Sequence, residues 1–270
     1  MIQFQNDQFT VFQSELYKTT SVVIKTEDLL LIVDPNLLPN EIKNIKAHVN
    51  KVKGNRPVYL LFTHSDWDHI VGYGAFLNST VIARNSFKER NDKDKILKEI
   101  QTFDEQYYID RDYPIVYPPV DLPIEKDGQV LQIGHTTLTF YKADGHTNDG
   151  LFTIVEPLGI WIAGDYLSDL EFPFIYFSSE AYEETLTKTN KILQNHKINY
   201  LIPGHGRIAE TKEEIIIRKE RSLQYIRELR NTVKTNSDSF YLIKDFNYQK
   251  GLIESHEGNI SLLKMELANK

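Results

Sequence analysis

The sequence predicts an α/β fold, and three observations support this prediction. Apolar runs of strand length, such as Leu29–Val33 and Val58–Phe62, alternate with segments in which apolar residues recur at helical spacing. A strand-rich block followed by helices occurs twice along the chain, without a fixed-period repeat. The chain has 270 residues, a length that one large α/β sandwich accommodates. We therefore expect a single domain over residues 1–270.

The elements of the first half follow from local patterns. A polar turn at Thr26–Asp28 separates two β-rich runs, which indicates a hairpin. The run that begins at Val58 has no polar alternation, as in a strand buried on both faces. In chain order the sequence predicts hairpin strands Ser21–Lys25 and Leu29–Asp34, a helix over Pro39–Lys53, strands Val58–Phe62 and Val81–Ala83, and a helix over Phe87–Ile100.

The second half repeats this organisation. In chain order it predicts strands Gln129–Ile133, Thr137–Ala143, Leu151–Val155 and Ile160–Ala163, a helix over Glu180–Asn195, a strand Tyr200–Ile202 and a helix over Lys212–Val233. Residues 234–270 are expected to form a helical C-terminal extension with a helix around Tyr248–Leu267. This extension either caps a pocket or makes a homodimer contact.

Residues 100–124 form a segment rich in tyrosine and proline. One interpretation is a surface loop that packs its own aromatic rings. The other is a wall or lid of a substrate pocket, since long irregular loops are often functional. We expect an insertion near the functional site.

The amino-acid composition argues against several classes of protein for this chain. Hydrophobic residues make up 41% and charged residues 26%, as in soluble globular proteins. The absence of cysteine excludes thiolate catalysis and sulfur-liganded metals. A net charge of −7 opposes a nucleic-acid partner. No apolar run suits a membrane span and no export signal is visible, so we expect a cytoplasmic protein.

The run Thr63-His64-Ser65-Asp66-Trp67-Asp68-His69 carries the strongest chemical signal. It places four potential metal ligands within six residues, directly after a buried strand. In an extended segment His64 and Asp66 share a face, and a following helical turn lets Asp68 and His69 point back. The pattern predicts a metal site, and the alternative is a polar loop that happens to contain two histidines.

Three further potential metal ligands, two histidines and one aspartate, follow predicted strands. Gly145-His146-Thr147, Gly164-Asp165 and Pro203-Gly204-His205-Gly206 each come at the carboxyl end of an apolar run. Glycine beside each ligand allows close backbone approach. The remaining histidines lie in helical or charged surroundings and are interpreted as ordinary surface residues: His48, His135, His196 and His256.

Together these motifs resemble the metallo-β-lactamase superfamily. Its members carry His-x-His-x-Asp-His, a histidine in Gly-His-Thr, an aspartate in Gly-Asp and a last histidine in Pro-Gly-His-Gly. Order and context match from Leu29 to Gly206. The resemblance implies a four-layer αββα sandwich with a metal site at one edge, between two mixed sheets.

The resemblance also implies a ligand set for two divalent metal ions. His64, Asp66 and His146 would bind the first ion. The second would be bound by Asp68, His69 and His205, and Asp165 would bridge the two. Asp34 and Thr63 would support the ligands from beneath.

One position departs from the superfamily pattern. The second histidine of the motif is Asp66 here, and the flavodiiron branch likewise carries a carboxylate, a glutamate, at that place. Two divalent ions with three aspartates and a bridging hydroxide make a neutral site, one charge lower than with histidine. This harder, more oxygen-rich set favours iron or manganese over zinc. Asp66 could equally leave the first position weakly filled.

The leading functional hypothesis is a metal-dependent hydrolase. A metal-bound water would attack a small ester, lactone, thioester or phosphodiester, with Asp68 orienting the nucleophile as a catalytic residue. One alternative is a di-iron oxidoreductase resembling the flavodiiron catalytic domain, although only 64 residues follow Gly206, too few for a flavodoxin domain. Another is a metal-dependent sensor without turnover.

The partner expected from these motifs is a small-molecule substrate, not a nucleic acid or a membrane. Proximity to the motifs in sequence suggests substrate contacts at Tyr108, Tyr113, Tyr166 and Arg207.

Overall fold

The computed structural model describes residues 1–269, and Lys270 lies outside the described residues. Within that range the chain forms two mixed β-sheets of seven and five strands, with helices on their outer faces. The predicted α/β class and the αββα layering are confirmed. None of the helices within residues 1–269 is long and apolar enough to span a bilayer.

The first sheet has its strands in chain order. Strands β1 to β4 are antiparallel, and β4 to β7 are parallel. The parallel part is connected through helices, as crossover connections require. The strands are β1 Ile2–Gln5, β2 Phe9–Gln13, β3 Thr20–Lys25, β4 Leu30–Val33, β5 Val58–Leu61, β6 Thr80–Arg84 and β7 Leu122–Ile124.

The second sheet is mostly antiparallel. Its spatial order is β12-β11-β10-β9-β8, and only the β11–β12 pair among these strands is parallel. The strands are β8 Gln129–Ile133, β9 Thr136–Lys142, β10 Leu151–Glu156, β11 Ile160–Gly164 and β12 Tyr200–Pro203.

Helices cover the outer face of each sheet. The helices are α1 Pro39–Val52, α2 Trp67–Ile70, α3 Asn85–Lys88, α4 Lys93–Tyr107, α5 Ser179–Asn195, α6 Lys212–Thr235 and α7 Gln249–Ala268, with short 3-10 turns at Tyr73–Ala75 and Phe240–Leu242. The first four pack on the seven-stranded sheet, and α5, α6 and α7 pack on the five-stranded sheet.

Three apolar cores hold the layers together. The central core lies between the sheets and joins Leu31 and Leu61 of the first to Phe140 and Ile162 of the second. The outer cores lie between each sheet and its helices. Strands β4 and β5 therefore bury both faces, which explains why their sequences show no polar alternation.

Several elements differ from the sequence expectations. The N-terminal hairpin β1–β2 was missed. The segment Phe87–Ile100, expected to form one helix, is divided between α3 and α4. Between the two helices the Arg90 guanidinium binds Asp92 and donates to the Ser65 hydroxyl at 2.7 Å. Strand β7 contains Pro123, which the outer edge of a sheet tolerates.

The interpretation of His256 as a surface residue was wrong. Its side chain is fully buried on α7, and its ring nitrogens contact the Tyr225 hydroxyl at 2.8 Å and the Ser239 hydroxyl at 2.9 Å. Helix α7 buries this face against α6, and the histidine is retained in the core because both nitrogens are satisfied.

The packing of the central core leads to a testable prediction about stability. We expect Phe140→Ala to lower the free energy of unfolding by about 3–5 kcal/mol, because it removes a fully buried ring between the sheets. Val130→Ala, on the neighbouring strand and 56% exposed, should change it by less than about 0.5 kcal/mol. Urea unfolding measures both, and equal losses would contradict the packing described.

Candidate metal centre

Five strands end at one edge of the sandwich, and each end carries a polar side chain. In the first sheet β4 and β5 are parallel, so their carboxyl ends coincide. In the second, β9 and β11 both run antiparallel to β10, and β12 runs with β11. The residues that follow these strands are Asp34 after β4, His64 after β5, His146 after β9, Asp165 after β11 and His205 after β12.

The turn after β5 supplies the remaining side chains. Helix α2 begins at Trp67, so Asp66 lies in extended conformation just before it, with φ −60° and ψ 143°. Asp68 and His69 lie within this single turn and are buried. The structure therefore brings all seven predicted ligand residues to one edge, in two groups of potential metal ligands.

Glycines allow this convergence. A Cβ atom at Gly204 would lie 2.1 Å from Asp165 Oδ1 and 2.9 Å from His69 Cε1, so only glycine fits beneath the site. Gly145 has φ +128°, and a Cβ atom there would meet the backbone of Tyr182 at 2.3 Å.

The first group consists of His64, Asp66, His146 and Asp165. His146 Nε2 lies 3.2 Å from Asp66 Oδ2 and 3.3 Å from Asp165 Oδ2. His64 Nε2 lies 3.6 Å from each of the same two oxygens. These four atoms surround one point between the two imidazoles and the two carboxylates.

The second group consists of Asp68, His69 and His205. Asp68 Oδ2 lies 3.5 Å from His205 Nε2 and 3.8 Å from His69 Nε2. Asp165 joins this group to the first, because its Oδ1 lies 3.1 Å from His69 Nε2 and its Oδ2 lies 3.4 Å from His205 Nε2.

Asp34 and Thr63 orient two of the histidines from beneath. Asp34 Oδ2 lies 3.0 Å from His69 Nδ1 and also accepts a 2.5 Å hydrogen bond from the Thr63 hydroxyl. The Thr63 oxygen in turn lies 3.0 Å from His64 Nδ1. Asp34 therefore holds one histidine of each group, directly or through Thr63.

Backbone carbonyls orient the other two histidines. His146 Nδ1 donates to the carbonyl of Phe174 at 2.7 Å, and His205 Nδ1 donates to that of Tyr17 at 2.8 Å. All four imidazoles thus place their Nδ1 protons on outer partners. Each Nε2 therefore presents a lone pair to the centre, as in metal-ligating histidines.

The donor set fits divalent metal ions. Ligand atoms about 2.0–2.2 Å from a tetrahedral ion lie about 3.3–3.6 Å apart, close to the spacings above. Nε2 of His64, Nε2 of His146 and Oδ1 of Asp165 are buried without a hydrogen-bond partner. Nε2 of His69 faces Nε2 of His205 at 3.3 Å, and a cation between these lone pairs removes their repulsion.

The electrostatics favour positive charge at this place. Burial by itself lowers the pKa of His205, but the carboxylates of Glu171 and Asp165 outweigh it and raise that pKa to about 10. The pKa values of His69 and His146 are likewise raised against their burial by neighbouring aspartates. Burial raises the pKa of Asp66, yet His64 and His146 bring it well below its usual range.

The two groups lie at the floor of a cavity of about 720 Å³. Its walls come from the segment after β2, the turn of α2, the loop after β11 and the N-terminal half of α7. The cavity is lined by Glu15, Tyr17, Lys18, Asp66, Trp67, Asp68, His146, Asp165, Leu170, Glu171, Phe174, Tyr176, His205, Tyr248, Gly251, Leu252, Glu254, Ser255 and Gly258.

Among the cavity-lining residues that sequence reasoning missed, two have side chains that lie beside ligand histidines. Glu171 Oε1 lies 3.7 Å from His205 Nδ1, and burial raises the pKa of its carboxyl to about 7. Tyr176 places its ring 5.0 Å from that of His146. Both follow β11 in an irregular loop, and no local pattern in the sequence distinguishes them from ordinary loop residues.

The structure places the four suggested substrate contacts away from the cavity lining. Tyr108 is 95% exposed at the end of α4, and Arg207 is exposed while its backbone N–H donates to Asp169. Tyr113 packs against the core between the seven-stranded sheet and its helices, and its hydroxyl accepts a hydrogen bond from Arg111.

Tyr166 instead supports the loop that carries His146. Its hydroxyl accepts a 2.9 Å hydrogen bond from the backbone N–H of His146 and donates at 2.8 Å to the carbonyl of Asp144. It therefore fixes the loop that carries a ligand. Within residues 100–124, Phe103 and Tyr107 line an adjoining groove with Trp67, and no residue of that segment lines the cavity itself.

This fold and this cluster of strand-end histidines and aspartates define an α/β sandwich with potential metal ligands at one edge. The family model of the metallo-beta-lactamase superfamily matches residues 15–205. The chain therefore belongs to the metallo-beta-lactamase superfamily, as its motifs predicted. Among curated proteins, none matches this chain in sequence.

Solved structures share the fold at low sequence identity. The metallo-beta-lactamase family protein TTHA1429 from Thermus thermophilus has 16% identity and a TM-score of 0.63, over 87% of this chain and 84% of that one. The archaeal superfamily protein ST1585 from Sulfolobus tokodaii has 17% identity and a TM-score of 0.60, over 97% and 100%.

A third similar structure is the stereoselective inverting sec-alkylsulfatase Pisa1 from Pseudomonas sp. It has 12% identity and a TM-score of 0.62, and the match covers 84% of this chain and 43% of that one. Likeness at this level of identity concerns the fold alone.

The hydrogen bonds of Asp34 lead to a prediction about metal affinity. Its two carboxylate oxygens accept from the Thr63 N–H, the Thr63 hydroxyl and His69, whereas an amide has a single acceptor oxygen. We expect Asp34→Asn to weaken divalent-metal binding by about 10–100-fold. Chelator competition measures the affinity. Asp121→Asn, whose carboxylate accepts from the Val81 N–H far from the site, is the matched control, and equal affinities in all three proteins would contradict the role of Asp34.

Proposed function

We propose that this protein is a metal-dependent hydrolase acting on small, uncharged esters or lactones. The main observation behind this proposal is that four imidazole Nε2 atoms and three aspartates converge at the floor of an open cavity. Divalent ions held by these groups supply Lewis acidity, which polarises a carbonyl oxygen and lowers the pKa of water. His64, Asp66 and His146 would hold one ion and Asp68, His69 and His205 the other, and Asp165, whose carboxylate lies within 3.4 Å of histidines of both groups, would serve both.

Asp68 is the proposed catalytic residue. Its side chain is 12% exposed and lines the cavity, while its Oδ2 remains 3.5 Å from His205. This carboxylate orients the attacking water and accepts its proton. In the overall reaction the hydroxyl of water joins the acyl carbon, the ester C–O bond breaks, and the proton passes to the leaving alcohol oxygen.

The charge of the cavity favours an uncharged substrate. Besides the ligand aspartates, its walls carry Glu15, Glu171 and Glu254, and Lys18 is the sole Lys or Arg among the lining residues that the structure describes. A phosphodiester would meet these carboxylates with only Lys18 and the metal ions to compensate for the repulsion. Carboxylic esters and lactones bring no charge and avoid this repulsion.

Asp66 supports a second candidate, redox chemistry at two irons. Its carboxylate makes the first group two imidazoles and two carboxylates, an oxygen-rich set that suits iron or manganese. Metal analysis and optical spectra of the purified protein separate the candidates. A visible absorption band from bridged iron favours redox, whereas colourless protein that cleaves esters favours hydrolysis. Metal-replete protein without turnover favours a sensor.

Hydrolysis makes a prediction about Asp68. With metal at saturation, we expect Asp68→Asn to lower kcat on aryl esters by about 10²–10⁴-fold, because the variant loses the base that positions water. Asp110→Asn, in an exposed loop, should keep the wild-type kcat. Steady-state release of the aryl alcohol measures the rate, and an undiminished kcat in Asp68→Asn would refute this role.

Metal preference makes a separate prediction. We expect about two ions per chain by elemental analysis and a shift towards zinc in Asp66→His, because imidazole is a softer ligand than carboxylate. Competition between zinc and manganese measures the selectivity. Unchanged selectivity in this variant would disprove the argument from ligand hardness.

A further inference from the structure

A buried polar network joins the two segments that carry the ligands of the first group. Ser65 lies between His64 and Asp66 in the turn after β5, and its hydroxyl donates a hydrogen bond to the Asp149 carboxylate in the loop after β9. The Arg90 guanidinium donates to the same hydroxyl at 2.7 Å. The side chains of Ser65 and Asp149 are buried. We call these three residues, Ser65, Arg90 and Asp149, the Ser65 network.

The direction of each hydrogen bond in the Ser65 network is fixed. A guanidinium has donors and no acceptor, so the Ser65 oxygen accepts from Arg90 and its single proton is given to Asp149. Arg90 is itself anchored by Asp92 through two hydrogen bonds of 2.7 and 2.8 Å. Asp149 Oδ2 lies 3.5 Å from Arg90, and Asp149 Oδ1 is buried without a partner. Because a buried carboxylate is costly when it is unpaired, Asp149 depends on these two contacts.

A second arginine holds the loop after β9 at its ends. Arg84, the last residue of β6, binds both carboxylate oxygens of Asp144 at 2.5 and 3.3 Å and donates to the Gly150 carbonyl at 3.3 Å. This loop therefore stays attached to the first sheet when the bond from Ser65 is removed. The Ser65 network adds a link from this loop to the ligand-bearing turn after β5.

Asp66 is the ligand that needs this link most. Its side chain is 26% exposed and does not cap α2. Within residues 1–269, the hydrogen bonds and ion pairs of its carboxylate are with His64 and His146, which are ligands of the same group. The position of Asp66 is consequently set by its backbone, and the Ser65 side chain anchors that backbone at the preceding residue.

We infer that Ser65 and Asp149 are positioning residues that set the metal affinity of the first group. Their hydrogen bond fixes the distance between the turn after β5 and the loop after β9, and every ligand of the first ion except the shared Asp165 lies on one of these two segments. The histidines of the second group are held instead by Asp34 and by the Tyr17 carbonyl. This inference rests on the two-ion ligand set of the proposed function and does not require ester hydrolysis.

Zinc titration of the metal-depleted full chain against a chelator tests the inference, because it resolves two affinities. Asp66→Ala removes a ligand of the first group, so the binding step that it weakens is assigned to that group. Ser65→Ala should weaken the same step by about 10–100-fold and the other step by less than about threefold, because it removes an outer partner of one group of ligands.

Variants of Asp149 separate positioning from a general need for buried charge. Asp149→Ala should weaken the first step as Ser65→Ala does, and the double variant should lose no more than either alone, because all three lack the same bond. Asp149→Asn keeps an oxygen that accepts from the Ser65 hydroxyl, so it should restore the wild-type affinity to within about threefold. Ser65→Ala removes one buried oxygen and tests the inference even where Asp149→Ala does not fold.

Asp28→Ala is the matched control. Asp28 precedes β4 at the opposite edge of the sandwich, and its carboxylate also joins the two sheets, because it accepts from the Thr136 hydroxyl and the His135 N–H, both at 2.9 Å. Asp28→Ala should lower the melting temperature, as Ser65→Ala does, and should leave both zinc affinities unchanged. A general loss of stability therefore does not imitate the predicted effect.

The outcomes distinguish this inference from the proposed hydrolysis. Wild-type affinities at both steps in Ser65→Ala, or equal losses at both, would overturn the inference. A wild-type chain that does not bind two zinc ions would overturn the inference and the proposed ligand set together. Two bound ions with the predicted loss in Ser65→Ala, in a protein that cleaves no ester, would refute hydrolysis and support the inference.

Discussion

The outward hydrogen bonds of four imidazoles are the constraint on which the site depends. Each Nδ1 proton is bound by a fixed acceptor, namely Asp34, Thr63 or the carbonyls of Phe174 and Tyr17. The Nε2 lone pairs are consequently directed at one another and at three carboxylates. Such an arrangement is unfavourable by itself in a buried place and favourable around cations.

The fold supplies this arrangement because parallel strands end together. Strands β4 and β5 in one sheet, and β11 and β12 in the other, are buried and rigid, so the residues after them have little freedom. The backbone N–H of Thr20 donates to the Gly204 carbonyl at 2.7 Å and ties the two sheets at the same edge. The positions of the ligands are therefore set by the ends of the sheet strands.

The sequence predicted what local patterns determine. Short apolar runs indicated the strands. The ligand candidates could be found because they directly follow those strands in the sequence. The residues that line the cavity did not follow from proximity to the motifs in sequence. Tyr166 comes directly after Asp165, so its side chain points to the opposite face and into the helical layer. Glu171 and the glycines of α7 reach the cavity only through tertiary packing, which sequence spacing does not encode.

The floor and the walls of the cavity are linked by charge. With a carboxylate at residue 66 and two divalent ions bound, the centre attracts anions less than one with histidine there, and Glu15 and Glu254 lower this attraction further. Binding energy for a substrate must then come from apolar surface. Within the cavity wall the rings of Tyr17, Trp67 and Tyr176 offer that surface, so under the proposed function the departure at Asp66 fits recognition of an uncharged substrate by apolar contact.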